Sequence, residues 1–295
     1  MKISILGQAQ YTRSVALTIC QTNIITEVAL VDEKRGPRDT IEDLREAIAL
    51  AGSDTILTVS ADVEALSESQ VVILFAPQVR SVVRSAQAYR TANVVPFRRF
   101  TSLIKQYAPT AKVLIAAPPA NFLANFVHHE LEAENGQVIG LSSGLATAYL
   151  KTQIADQLTV SVSDVTALVI GNDDIVYPLP QYCRVNGIPI DQLMSEAQLG
   201  ELTNGLNERH RKLTGTEASY SQSVWVSQII TAIALDKKRI MSVGALVESS
   251  SSAVYLIVPS KIGVNGVEAI IQLELTEAQR EQLTDLVAKS MAIQQ

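Results

Sequence analysis

Several groups of residues carry the side chains that chemistry requires. Gly140-Leu141-Ser142-Ser143-Gly144 matches G-x-S-x-G, between a strand-like and a helix-like stretch. That is the setting of a hydrolase nucleophile elbow. Asp173 or Asp174, followed by His210, completes the order Ser, Asp, His. The same five residues also fit a plain glycine-rich turn at a strand end. Gly7-Gln8-Ala9-Gln10-Tyr11-Thr12 stands where a dinucleotide loop reads G-x-G-x-x-G. Gly7 keeps the tight turn. Ala9 puts a methyl where backbone must approach a pyrophosphate. Thr12 occupies the glycine position that lets helix and strand pack closely, and Tyr11 adds bulk beside the loop. Asp32 stands where a ribose-binding acid belongs, or pairs as a solvated strand-end acid with Lys34 or Arg35. His128 and His129 are sequence neighbours, so on a helix they diverge by about 100° and do not share one metal ion. Asn172-Asp173-Asp174 offers oxygens to a cation, although a polar loop explains it as well. No metal site is expected.

The elements that would position these groups follow from periodicity. Ile3–Leu6, Val28–Val31, Val71–Phe75 and Val113–Ala117 are short apolar runs of the kind that form buried parallel strands. Helical spacing separates them: Val15, Ala16, Ile19 and Cys20 in the first stretch, Ile41, Leu44, Ala47 and Ile48 in Thr40–Ala51, and Phe100–Tyr107 further on. This alternation predicts a Rossmann-type, doubly wound parallel sheet over residues 1–120. Residues 121–295 have a different texture. Helices are expected at Phe122–Leu131, Leu145–Leu158, Glu196–Leu213 and Ser221–Leu235. Strands are expected at Gln137–Gly140 and Val165–Gly171, with an Asn186-Gly187 hairpin turn. Met241–Glu248 and Ala253–Pro259 form an antiparallel pair joined through Ser249–Ser252. Thr276 with Gln279 makes a capping box before the last helix. The second half is therefore an α+β domain with antiparallel hairpins, in an α/β protein.

Composition sets outer limits. The 295 residues are 47% hydrophobic and 18% charged, which excludes a disordered chain. A net charge of -6 with mixed signs along the chain gives no basic face for nucleic acid. Cys20 and Cys183 lie far apart and read as small core residues in a reducing cytosol. The first apolar run is too short for a signal peptide, and no run approaches the ~18 apolar residues of a membrane span. A cytoplasmic protein without membrane or nucleic-acid partners is expected.

Several stretches resemble the malate/lactate dehydrogenase family. Val258-Pro259-Ser260-Lys261-Ile262-Gly263-Val264-Asn265-Gly266-Val267-Glu268 is close to that family's V-P-x-x-(I/L)-G-x-x-G-(V/I)-E. Leu273-Glu274-Leu275-Thr276-Glu277 is similar to its L-x-L-(T/S)-x-x-E, and Leu235–Ile240 to the stretch before its last hairpin. Val176-Tyr177-Pro178-Leu179 resembles the V-P-L of its catalytic segment. The resemblance implies a dinucleotide-binding domain, a catalytic domain, and a homodimer or homotetramer built on helices such as Thr40–Ala51 and Ser221–Leu235. It also implies hydride transfer with NAD. A histidine exchanges the proton, an aspartate orients it, one arginine clamps the substrate carboxylate, a mobile arginine polarises the carbonyl, and an asparagine places the substrate.

Position by position, those groups are missing. The aspartate position is Ala146 and the arginine position Tyr149. The placing asparagine is Ala117, and the histidine segment G-x-H-G-(D/E) becomes Gly171-Asn172-Asp173-Asp174. Arg80, Arg84 and Arg90 fall in the mobile-loop region with a different spacing. One acid–base residue contributes about 10²–10⁴ in rate, and losing base, orienter and clamp together leaves no route to the reaction. The leading expectation is a pseudoenzyme serving as an oligomeric scaffold, regulatory subunit or heteromeric partner. Gly7 and Asp32 are what remains of a cofactor site, and NAD is expected to bind weakly or not at all. The alternatives are an active NAD-dependent oxidoreductase on a 2-hydroxy or 2-oxo acid, using Arg80 or Arg84, and a serine hydrolase using Ser142.

Overall fold

The computed structural model describes residues 1–7, 9–31, 38–76, 86–141, 143–213, 219–249 and 252–294. Its first half is a parallel sheet of β1 (Lys2–Leu6), β2 (Glu27–Val31), β3 (Ile56–Ser60), β4 (Val71–Leu74), β5 (Lys112–Ile115) and β6 (Val138–Gly140), in the order 3-2-1-4-5-6. The helices α1 (Ala9–Cys20), α2 (Arg38–Leu50), α3 (Ala86–Tyr107) and α4 (Ala120–Leu131) connect these strands. Alternation along each strand divides the core between the two faces. Ile3, Ile5, Val71 and Ile73 pack with Val15 and Ile19 of α1 and Leu44 and Ile48 of α2. Leu6, Val72 and Leu74 pack on the other face with Phe97, Phe100 and Ile104 of α3 and Leu123 and Val127 of α4. A sheet buried on both faces explains why its strands read as unbroken apolar runs.

The second half contains α5 (Ser143–Leu158), β7 (Val165–Thr166), β8 (Val169–Gly171), β9 (Val176–Pro178), β10 (Arg184–Val185), β11 (Ile188–Pro189), α6 (Glu196–Leu213) and α7 (Ser219–Ala234). It continues with β12 (Arg239–Ser249), β13 (Ser252–Gly263), β14 (Gly266–Ile270) and α8 (Glu277–Gln294). Strands β12 and β13 form a long antiparallel pair that β8, β9 and β14 extend. The two halves share one sheet, because β12 runs antiparallel beside β6 with Gly244 opposite Gly140. Helices α5 and α6 enclose a third core around Leu150, Ile154, Leu202 and Leu206.

The expected fold class is therefore present, with four differences in detail. Strand β3 has no counterpart among the expected strands, since Leu57 alone of its residues is buried at this sheet edge. Helix α3 starts fourteen residues before Phe100 and carries Pro96 inside it. Val165–Gly171 is two strands in two sheets, not one. The parallel sheet also takes in β6, beyond residue 120. The Asn186-Gly187 turn forms with both residues at positive φ. Thr276 and Gln279 cap α8 reciprocally at 3.0 and 3.3 Å.

Candidate functional site

The carboxyl ends of the parallel strands converge where such sheets bind ligands. Gly7 follows β1 at φ +132°, and a Cβ there would stand 2.6 Å from the Cβ and carbonyl oxygen of Phe75, past the end of β4. Only glycine fits this approach. Helix α1 begins at Ala9, and β2 pairs parallel to β1, so strand, turn, helix and strand form a βαβ unit. Thr12 is buried within it. Asp32, Arg80, Arg84 and Ser142 lie outside the described residues.

At the end of β5, Ala117 is buried, and Gln222 of α7 donates from Nε2 to the Ala116 carbonyl at 3.4 Å. Helix α7 thus covers this strand end. Ala146 is buried in the first turns of α5. Tyr149, one turn on, is half-buried against α6, its hydroxyl 3.1 Å from where a Gly205 Cβ would stand. Gly144 lies directly beneath the Trp225 ring, which any side chain there would strike.

The loop after β8 carries the most connected polar groups. Asn172 Oδ1 accepts from the backbone N–H groups of Asp174 and Ile175 at 2.9 and 3.0 Å. Its Nδ2 donates to Ser290 Oγ on α8 at 3.1 Å, and its carbonyl accepts from His210 Nε2 at 3.0 Å. Asp173 is buried, yet its carboxylate faces helix α4. Oδ1 accepts from the Asn121 N–H at 3.1 Å and Oδ2 from the Phe122 N–H at 2.9 Å. Burial pushes this carboxyl up to about 6, the two backbone donors and Arg90 pull it down, and Asp174 adds to the rise. Asp174, on the outside, meets Arg90 at 3.5 Å, and the Arg90 guanidinium lies 5.8 Å over the Phe122 ring. Together these groups border a cavity of about 20 Å³.

Helix α4 explains the arrangement. Its N-cap residue is Pro119, which offers no side-chain acceptor. Helix starts leave backbone N–H groups without partners, and a cap normally serves the second or third of them. Asp173 performs that task from 52 residues away. Sequence reasoning did not assign this role. The signal was available, since Pro118-Pro119-Ala120 opens a helix with none of the usual capping residues.

The other constellations are structural. His210 is buried, burial lowers its pKa, and its Nε2 proton goes to the Asn172 carbonyl. Asp174 faces Arg90. Ser143 Oγ donates to the Ser242 carbonyl at 2.5 Å. The hydrolase order is thus not assembled among the described residues. His128 and His129 stand edge to face with ring centres 5.7 Å apart, and His128 packs against Tyr255. Among the described residues no three histidine, cysteine or acidic side chains cluster as metal ligands. No described helix is long and apolar enough to cross a membrane.

Comparison with known proteins places this architecture. The model of the lactate/malate dehydrogenase NAD-binding domain matches residues 1–140, and that of the family's alpha/beta C-terminal domain matches residues 144–292. The chain belongs to the lactate/malate dehydrogenase family. Malate dehydrogenase of Bacillus pumilus is 31% identical over 297 residues, spanning 96% of this chain and 93% of that protein. Malate dehydrogenase of Salinibacter ruber is 29% identical over 290 residues, spanning 96% and 92%. The structure of malate dehydrogenase from Aeropyrum pernix superposes with a TM-score of 0.90 at 25% identity, covering 99% of this chain and 97% of that one. The βαβ unit at Gly7 therefore belongs to the family's NAD-binding domain. Asn172-Asp173-Asp174 lies in its C-terminal domain.

Proposed function

We propose that this chain is a pseudoenzyme of the lactate/malate dehydrogenase family, an oligomeric scaffold or regulatory partner that does not transfer hydride. The observation that carries the reading is the fate of Asn172 and Asp173, in the segment resembling the family's histidine motif. Both side chains are spent on internal hydrogen bonds, and neither is a histidine. Buried Ala117 and Ala146, at the positions aligned with the placing asparagine and the orienting aspartate, offer no polar atom beyond their backbone. Tyr149, at the clamp position, carries no charge for a substrate carboxylate. A methyl at Ala9 and a side chain at Thr12 favour weak or absent NAD binding. Tyr220 and Val224 on α7, with Leu235 just past its end, are 86%, 52% and 49% exposed, which suits a homodimer or homotetramer.

A second reading is an active NAD-dependent oxidoreductase on a 2-hydroxy or 2-oxo acid with an altered site. The observation in its favour is a carboxyl near 6 with Arg90 close by, a setting suited to proton exchange near neutral pH. Purified protein supplied with NADH and oxaloacetate or pyruvate separates the two. The pseudoenzyme reading expects no turnover above background, and turnover at rates usual for dehydrogenases overturns it. Calorimetric titration with NAD and NADH tests the cofactor separately, where micromolar binding would overturn the expectation of a weak or empty site.

A further inference from the structure

The chain holds four Asn-Gly pairs: Asn135-Gly136, Asn186-Gly187, Asn204-Gly205 and Asn265-Gly266. An asparagine before glycine is open to attack on its side-chain amide by the next backbone nitrogen, because glycine has no Cβ in the way. The attack closes a five-membered ring, so the backbone must be able to leave its resting conformation. The fold denies that freedom to three of the pairs. Asn204 and Gly205 stand inside α6, where the Gly205 N–H belongs to the helix ladder. Asn135 Nδ2 donates to Glu248 Oε2 at 3.1 Å, and a Cβ on Gly136 would strike the Val267 backbone. The Gly136 carbonyl accepts from the Val267 N–H at 3.0 Å. Asn265 Nδ2 donates to Glu268 Oε1 at 3.5 Å, and a Cβ on Gly266 would strike that same Gly136 carbonyl. These two pairs hold each other in place.

Asn186-Gly187 is held by far less. Both residues are exposed, at φ +45° and +86°, and nothing stands within 4 Å of a Cβ on Gly187. Among the described residues the Asn186 side chain and the Gly187 N–H meet no hydrogen-bond partner. The hairpin around them has two residue pairs, Arg184 with Pro189 and Val185 with Ile188. So short a ladder opens at low cost.

We propose that Asn186 is a modification site, where the chain converts its own amide to aspartate and isoaspartate ahead of the other three pairs. The Gly187 nitrogen gives its proton to solvent base and bonds to Asn186 Cγ. The Cγ–Nδ2 bond breaks, and Nδ2 takes up a proton and leaves as ammonia. Water then opens the cyclic imide at either carbonyl, giving aspartate or isoaspartate. Isoaspartate lengthens the main chain by one carbon and adds a carboxylate. A two-residue turn sets the strand register, so the added atom breaks the pairing of β10 with β11. The partner such a product calls for is a carboxyl methyltransferase that takes isoaspartyl chains and S-adenosylmethionine.

Ageing of the natural protein at mildly alkaline pH tests this, natively and in urea. After digestion, the amide-to-acid mass change is followed at all four asparagines. In the native protein Asn186 is expected to convert at least about tenfold faster than Asn135, Asn204 and Asn265. In urea the four rates are expected to come within about threefold of one another, since each asparagine then has only its neighbours in sequence. A purified isoaspartyl carboxyl methyltransferase with labelled S-adenosylmethionine is expected to mark the aged protein. Asn186→Gly keeps a Gly-Gly turn of the same type and loses the amide; aged alike, it should take up only a small fraction of the label. Native conversion led by another pair would overturn the proposal, as would a lead for Asn186 that persists unchanged in urea, or equal labelling of Asn186→Gly. None of these readouts involves NADH turnover, so the proposal stands or falls separately from the assignment as a pseudoenzyme.

Discussion

Replacing Asp173 by asparagine isolates the cost of one buried charge. The amide keeps the shape of the carboxyl and one acceptor for the α4 donors, but it does not titrate. In the folded protein burial moves the carboxyl from 3.8 to about 6. At about 1.4 kcal/mol per pH unit, that rise is worth about 3 kcal/mol. The sign follows from proton linkage. The folded state holds this proton more tightly than the unfolded chain, so its contribution is fully present well below the unfolded value of 3.8 and is lost as pH rises through about 6. His128 and His210, whose pKa values burial lowers, act in the opposite sense in both proteins and cancel in the difference. Urea unfolding of the natural protein and of Asp173→Asn, at pH steps from 4 to 7, gives the stability difference directly. The natural protein should lose about 2 kcal/mol relative to the variant across that range. A difference that stays flat, or moves in favour of the natural protein, would refute a buried carboxylate at the start of α4.

Three further outcomes are expected. Gly144→Ala drives a methyl into the ring of Trp225, the chain's one tryptophan; its emission should shift and stability fall by about 1–3 kcal/mol, whereas unchanged emission would mean that α5 and α7 separate freely. Gly244→Ala strikes the Asn121 amide and the Gly140 backbone; pairing it with Asn121→Ala in a double-mutant cycle should recover part of the loss, and strict additivity would contradict the contact. Cys20 and Cys183 are buried, with thiols pushed up to about 11; a thiol-reactive dye should label neither in the native protein and both after denaturation, and rapid native labelling would place one at the surface.

Much of this architecture is legible in the chain because burial on both faces leaves an unmistakable mark. Ile3–Leu6 and Val71–Leu74 read as strands since every position is buried and all but Ser4 pack into one of the two apolar cores. Ile56–Ser60 does not, because at the sheet edge only Leu57 has to be apolar. The early turns of α3 were hidden by Pro96, whose usual effect is to end a helix. The polar site was legible as a list of residues and not as an arrangement. Asn172, Asp173, Asp174 and His210 stand out by residue type alone. Which of them faces a solvent cleft, and which a helix end, depends on the distance between α4 and the loop after β8. Local pattern carries no record of that distance. The empty cap at Pro119 was the one local clue that a partner had to come from elsewhere.

That remote cap has a consequence for how the chain is made. Synthesis delivers the six parallel strands and α4 before residue 141. The acceptor for the start of α4 follows only at Asp173, 52 residues behind its first donor. The β12 strand that lies beside β6 follows later still. A nascent chain halted after β6 therefore carries a helix with a frayed start and an open sheet edge, both prone to wrong pairings. The NAD-binding half reaches its final form only when the half that comes after it has left the ribosome.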